Sequence, residues 1–417
     1  MMEMFEPIMP QNENALCPHF GMCGGCSLQD KKYEEQIRVK EKHLETLLKP
    51  HNLYPRSILS SPIIWGYRNR VDFNFGRRFY DTPPPKEFDR ETVLGFRRKN
   101  RWFHLIDISK CLIGPSLTPT LLETVRCWAR ETGLKGYDSR THQGTLKLLL
   151  VRESKRLNEK MVVLVTGEDV PRLEEFRDAV LTVYPATSIH HAVSNSRANV
   201  AFAETTTLLH GKPYISEQFQ IPKVAGERRI QIRVTPFGFL QSNTFVAEIL
   251  YALVRNWVES FAFTRLYDLY GGNGAIGLAC ADLVEHIVTV ESMPDSITAR
   301  RETAADNGVT HIDFVQSKVE DYLRDFYEKG NKFTPDDIVI VDPPRAGLHP
   351  KALKYLMHLA PDYFIYISCK PEVLCQQDLP TLLTQYKLID MEALDMFPHT
   401  PHVELALLFR KKSEYDD

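Results

Sequence analysis

The stretch YDLYGGNGAIGL, residues 267–278, runs from an apolar segment into glycines at 271, 272, 274 and 277. A strand ending in this way can turn sharply and bring its backbone close to a ligand at the carboxyl edge of a parallel sheet. A glycine turn serving only strand-to-helix packing is the plainer alternative. The surrounding sequence supports the sheet. Strands are expected at 264–270, 286–291, 312–315, 337–341 and 362–367, each followed by a helical segment, with a closing pair at about 385–395 and 403–410. This alternation predicts a doubly wound, Rossmann-like α/β domain over residues 236–417.

The second expected strand ends in VTVES, placing Glu291 twenty residues after Gly271, where a carboxylate can accept both hydroxyls of a ribose. These two signals indicate a nucleoside-type cofactor but do not separate a dinucleotide from S-adenosylmethionine. The fourth strand does. IVIVDPPRAGL (338–348) delivers Asp342 and two prolines in a rigid turn over the cofactor mouth, for which a dehydrogenase has no obvious use. The next strand, YFIYIS, ends in Cys369, so a thiol reaches the same edge. Cys375 falls in an expected helix over 371–382 and reads, with Cys127 and Cys280, as a buried inert thiol.

At 417 residues, with 43% hydrophobic and 25% charged residues, the chain suits a soluble protein of two or three domains. Its apolar runs are too short for a bilayer, and MMEMFEPIMP (1–10) lacks the order of a signal peptide. A cytoplasmic, reducing compartment follows. There the cluster CPHFGMCGGC (17–26), three of only eight cysteines, is expected to bind metal rather than form disulfides. Its spacing leaves an iron–sulfur cluster and a four-thiolate zinc site equally open.

After the cluster, residues 31–50 predict one amphipathic helix with Tyr33, Ile37, Leu44, Leu47 and Leu48 near one face, stopped by Pro50. Residues 62–235 read as an α+β region of period-two strands around Val71, Phe73 and Phe75, at 93–96, and in TLKLLLV and MVVLVT. Helices are expected there at 118–131 and 172–183, with a surface loop at TPPPKEFDR (82–90). Net charge is −3, so nucleic-acid binding needs a local patch. Residues 66–110 carry eleven Lys/Arg against six Asp/Glu, with Tyr67, Phe73, Phe75, Phe79, Tyr80, Phe96, Trp102 and Phe103 interleaved. Basic groups answer phosphates and aromatic faces stack on unpaired bases, although an Arg-rich sheet face would look the same.

The ordered motifs CPHFGMCGGC, FGFLQSNT (237–244), DLYGGNGAIGL, VES, VDPPRAGL, YISCKP and DMFPHTPHVE (395–404) resemble the S-adenosylmethionine-dependent RNA uridine C5-methyltransferases, across essentially the whole chain. The resemblance implies Cys369 as nucleophile, Glu404 as base, and Gln241, Tyr270, Glu291 and Asp342 as cofactor contacts. It also implies a 4Fe–4S cluster on Cys17, Cys23, Cys26 and Cys111. The expected layout is an iron–sulfur region at 1–61 completed by Cys111, a central α+β RNA-binding domain at 62–235, and the catalytic domain at 236–417. A monomer without membrane contact, acting on RNA, is expected. Iron–sulfur members of the family more often act on large-subunit ribosomal RNA, which favours 23S rRNA over transfer RNA.

Two positions depart from the family. Many members carry Cys where Gly271 stands and a polar residue where Ala275 stands. Only sixteen residues precede Cys17, too few for the RNA-binding β-barrel of several relatives. Arg345, beside Asp342, is expected to stabilise charge on the uracil carbonyl, and His399 and His402 read as loop histidines rather than metal ligands. A cytosine C5-methyltransferase would carry its thiol directly after the ProPro turn, where Arg345 stands. An amino-group methyltransferase would have an aromatic there.

Overall fold

The computed structural model describes residues 17–80, 82, 85, 88–198, 201–293 and 297–413. The stretch 1–10 and several positions of the 82–90 loop lie outside them. The chain forms two compact units, one of Met1–Lys31, Ile63–Glu217 and Val234–Phe237, the other of Lys32–Pro62, Gln218–Arg233 and Gly238–Asp417. This division does not follow the consecutive blocks 1–61, 62–235 and 236–417. Lys32–Pro62 groups with the C-terminal unit because Leu44, Leu48 and Ile58 join that unit's core, beside Leu269, Val341 and Leu405.

In chain order, α1 (Tyr33–Leu48) is followed by β1 (Arg70–Arg77), β2 (Thr92–Arg98), β3 (Arg101–Asp107), α2 (Thr118–Thr132), β4 (Leu146–Glu153), β5 (Lys160–Thr166), α3 (Leu173–Val183), β6 (Ser188–Val193) and β7 (Thr205–Gly211). These strands form one seven-stranded sheet, order β3-β2-β1-β4-β5-β6-β7. β1 alternates between buried and half-buried residues as its sequence predicts, whereas β4 and β5 are buried along both faces. Their Leu/Val runs are therefore continuous rather than period-two, as befits central strands covered on both sides.

β8 (Ile215–Pro222) and β9 (Glu227–Val234) pair as a hairpin, and α4 (Thr244–Phe261) follows. The remaining strands are β10 (Arg265–Leu269), β11 (His286–Glu291), β12 (Ile312–Gln316), β13 (Asp337–Val341), β14 (Tyr363–Ser368), β15 (Tyr386–Leu394) and β16 (Glu404–Lys411). They assemble in the order β12-β11-β10-β13-β14-β16-β15. The first five run parallel and β16 lies antiparallel to both neighbours. The result is the mixed, Rossmann-like sheet that the alternation of elements predicts. Helices α5 (Ala275–Ala279), α6 (Ile297–Asp306), α7 (Val319–Glu328) and α8 (Pro350–Leu359) connect the parallel strands. The strand order reverses between β10 and β13, so ligand-binding side chains gather at the carboxyl ends of those strands.

The helix expected over 371–382 is three pieces. Pro371–Val373 and Leu379–Gln385 are α-helical, and Leu374–Asp378 between them is a turn of π-helix. Among the described residues no helix is long and apolar enough to cross a membrane.

Candidate functional site

β10 ends at Leu269, and Tyr270 turns the chain with φ +63°, a left-handed conformation that side chains other than glycine adopt at a cost. Gly272 and Gly274 continue the turn at φ +53° and +77°. Gly271 is required for space instead. A Cβ there would stand 2.4 Å from the Thr289 methyl and 2.9 Å from Asp268 Oδ2. Thr289 thus occupies the volume that a larger residue at 271 would need, which accounts for that departure within this chain.

Gln241, Tyr270, Ala275 and Asp342 line one cavity with Phe239, Tyr251, Asn273 and Ile276. It encloses about 20 Å³, and the Phe239 ring stands 3.0 Å from where a Cβ on Gly272 would sit, closing it on the glycine side. Phe239 is 57% exposed, at the solvent side of the cavity. Gln241 Nε2 donates to Asp342 Oδ2 at 3.1 Å, while buried Asn273 Nδ2 has no hydrogen-bond partner among the described residues. An orphaned buried donor beside a glycine turn fits a polar ligand. Asn273 was not singled out from sequence, since a turn asparagine reads as backbone geometry alone. Glu291 flanks this cavity: its carboxylate accepts from Gly272 N at 3.2 Å and from Ser292 N and Met293 N.

β14 and β16 pair with Ser368 opposite Leu405, so continuing the antiparallel register sets Cys369 across from Glu404. Cys369 is half-buried and Glu404 is 1% exposed, with neither carboxylate oxygen hydrogen-bonded among the described residues. Burial pushes the Cys369 thiol up to about 12; Glu404 and Asp342 add to the rise and the Arg345 guanidinium opposes it. Glu404 is raised well above the usual carboxylate range by burial and then by Asp342, again opposed by Arg345. Burial and Asp268 bring Asp342 to about 7, with the Gln241 hydrogen bond acting the other way. Arg345 is exposed and lies 3.3 Å from His402, two residues before Glu404. Cys375 and Cys280 are buried, as expected, but Cys127 is not. It is half-exposed on α2, with Arg130 NH2 donating to it at 3.2 Å, because α2 buries the stripe Leu121, Leu122, Val125 and Ala129 and leaves 127 at its margin.

In the other unit Cys17, Cys23, Cys26 and Cys111 all line one cavity of about 320 Å³ with Arg68, Arg70 and Lys110. Burial raises Cys26 to about 12 and Cys111 to about 11, and the thiols of Cys111, Cys23 and Cys17 each add to the shift at Cys26. Gly25 N donates to Cys23 Sγ at 3.4 Å. Among the described residues no three His, Cys, Asp or Glu side chains converge closely enough to hold a single metal ion. The cysteines surround a volume rather than a point.

The basic patch divides on inspection. Tyr67, Phe73 and Phe75 are fully buried, Phe73 and Phe75 at the inward positions of β1 and Tyr67 just before that strand, and none is a stacking platform. Phe103 is exposed; the side chain of Trp102 lies outside the described part. Arg78 is engaged with Glu91 and Asp107, whereas Arg97, Arg98 and Arg101 line an open groove with Phe96, Lys99, Gly24 and Gly25.

A family model described as tRNA (uracil-5-)-methyltransferase matches residues 191–412. An uncharacterized RNA methyltransferase of Caldanaerobacter subterraneus subsp. tengcongensis is 31% identical, covering 95% of this chain and 84% of its own length. One of Chlamydia trachomatis is also 31% identical, covering 95% of this chain and 98% of its own. Among solved structures, the Pyrococcus abyssi tRNA (uracil-54, C5)-methyltransferase in complex with S-adenosyl-L-homocysteine aligns with a TM-score of 0.69 and 27% identity, covering 93% of this chain and 86% of that one.

Proposed function

The chain belongs to the S-adenosylmethionine-dependent RNA uracil-C5-methyltransferase family, and from that premise we propose that it methylates a uridine of 23S ribosomal RNA with Cys369 as nucleophile and Glu404 as base. The observation that carries the chemistry is the register of β14 and β16, which continued by one pair sets a thiol across from a buried carboxyl group that has no hydrogen-bond partner among the described residues.

Gln241, Tyr270, Glu291 and Asp342 would hold the cofactor. When bound, S-adenosylmethionine supplies an electrophilic methyl on a sulfonium whose positive charge favours ionised neighbours. Uracil C5 is a poor nucleophile until Cys369 sulfur adds at C6 and the C5=C6 electron pair moves onto C5 through the enolate. Arg345 stands where it can stabilise negative charge on the uracil carbonyl. Once C5 carries the methyl, its hydrogen leaves as a proton to the Glu404 carboxylate. The C5–H pair then restores C5=C6 and the S–C6 bond breaks, returning the thiolate. Reaching C6 requires an unstacked base, so loop uridines are the expected targets.

Cys17, Cys23, Cys26 and Cys111 fit a 4Fe–4S cluster. Four thiols set around a cavity suit a polynuclear group better than a single tetrahedral ion, and thiols raised by burial ionise when a cation is coordinated. Arg97, Arg98 and Lys99 beside the cysteine loop give the RNA backbone a basic groove. A transfer-RNA target is the second reading, favoured by the likeness to the Pyrococcus tRNA uracil-54 enzyme. Nucleoside mass spectrometry of a deletion strain separates the two. Loss of a 5-methyluridine from 23S rRNA supports the first reading, and loss from the transfer-RNA T-loop alone supports the second.

A further inference from the structure

Among the described residues Glu404 makes no hydrogen bond through either carboxylate oxygen, so its aim depends on the backbone that delivers it. That backbone, residues 395–403, is held by polar side chains spaced along α1. Lys40 and Asp395 form a 2.5 Å ion pair with both side chains fully buried, and Lys40 Nζ also donates to Phe397 O at 3.1 Å. Tyr33 OH donates to Asp395 Oδ2 at 2.8 Å and accepts from Ser61 N at 2.8 Å. Gln36 grips His399 twice, accepting from His399 N at 2.8 Å and sharing a 3.1 Å hydrogen bond with its Nδ1. His399 itself sits at φ +67°, a conformation that surrounding contacts must enforce. Asn243 Nδ2 reaches Met396 O at 3.4 Å from the N-cap of α4, two residues beyond Gln241.

We propose that Tyr33, Gln36 and Lys40 are positioning residues for the base: one helix face clamps the Asp395–Val403 segment so that Glu404 meets the C5 proton of the adduct. The inference rests on the assignment of Cys369 and Glu404 above. It separates two functions of the domain, since nucleophilic addition and methyl transfer precede the proton transfer that the clamp serves. Moving a catalytic group by about 1 Å can cost roughly 100-fold in rate.

Two variants break the clamp without stranding a buried charge: Gln36→Leu, and the paired replacement Lys40→Met with Asp395→Leu. Full-length protein is given the same RNA transcript made with uridine or with 5-fluorouridine, which cannot lose its C5 substituent as a cation. Both variants should bind S-adenosylmethionine and trap 5-fluorouridine RNA as wild type does. On uridine RNA they should accumulate a denaturant-resistant methylated adduct, with kcat lowered roughly 100-fold and KM little changed. Should one variant fail to fold, the other gives the result. Folded variants that release product at the wild-type rate, or lose trapping and turnover in equal measure, overturn the clamp. A wild type that traps no 5-fluorouridine RNA overturns the Cys369 reading and the clamp that depends on it.

Discussion

The carboxyl edge of the C-terminal sheet and the cysteine pocket of the other unit each hold a thiol that burial drives to about 12, Cys369 in one and Cys26 in the other. Residue type and burial are alike; the neighbours differ. Cys369 faces Glu404, Asp342 and Arg345, whereas Cys26 faces three more thiols across a cavity of about 320 Å³. A single thiol among acids can add to a carbon and be released by proton transfer. Four thiols can neutralise a multivalent cation group. The chemistry of each cysteine is set by what the fold brings beside it.

The comparison is broken most sharply by exchanging roles. Serine at Cys369 should reduce methylation to background while S-adenosylmethionine binding persists, whereas serine at Cys26 should strip iron and colour from anaerobically purified protein. A Cys26 variant that keeps full iron, measured by metal analysis, would make that pocket an ordinary packing site. Next in size, Glu404→Gln should slow turnover by about 10²–10⁴-fold and leave methylated RNA on the protein. The same change removes the titration of a buried carboxyl group, and with it part of the pH dependence of the fold's stability.

The pH dependence of that stability has a definite sign. Asp342 is raised to about 7 and Glu404 is raised also, so the folded state keeps protons that the unfolded chain releases. Their contribution to stability is fully present below the ordinary carboxylate range and is lost as pH rises from there towards 7, opposite in sign to that of carboxyls held down by Arg partners, such as Asp282. Asp342→Asn should flatten the decline in thermal melts between pH 4 and pH 8 (about 2–4 °C per kcal/mol). A difference in melting temperature between Asp342→Asn and wild type that does not change over this range would contradict the assignment.

A smaller effect tests the electrostatics of the nucleophile. Arg345 lowers the Cys369 pKa, so Arg345→Ala should move the pH profile of Cys369 alkylation by iodoacetamide to higher pH. The smallest concerns RNA grip. Arg98→Ala should weaken RNA binding and reduce its salt dependence by about one charge, while Arg78→Ala, paired with Glu91 and Asp107, should do less.

Much of the catalytic edge could be read from sequence because its signals are local. The glycine turn, the Asp-Pro-Pro turn and the strand ending at Cys369 each declare themselves within a dozen residues, and the sheet places them together. What escaped reading depends on distant partners. Gln36 and Lys40 look like outward residues of an amphipathic helix, yet both are 1% exposed, because their partners arrive more than 350 residues later. Gly271 reads from sequence only as a departure from the family's usual Cys, and its reason, the Thr289 side chain from the next strand, lies eighteen residues on. Phe73 and Phe75 read as stacking surfaces because alternation alone does not say which side of β1 faces the core. The π turn at Leu374–Asp378 has no composition signal, although Asp378 within it accepts from Tyr366 OH at 2.6 Å and Leu348 N at 3.0 Å, tying the Arg345 loop to the segment after Cys369.

The central claim is that Cys369 adds to C6 of a uridine, and 5-fluorouridine RNA tests it most directly. Wild-type protein with S-adenosylmethionine and this RNA should yield a denaturant-stable complex whose digestion leaves a fluorinated, methylated nucleotide on the peptide containing Cys369, and Cys369→Ser should yield none. A complex attached at another residue, or one that forms equally in Cys369→Ser, would contradict the account.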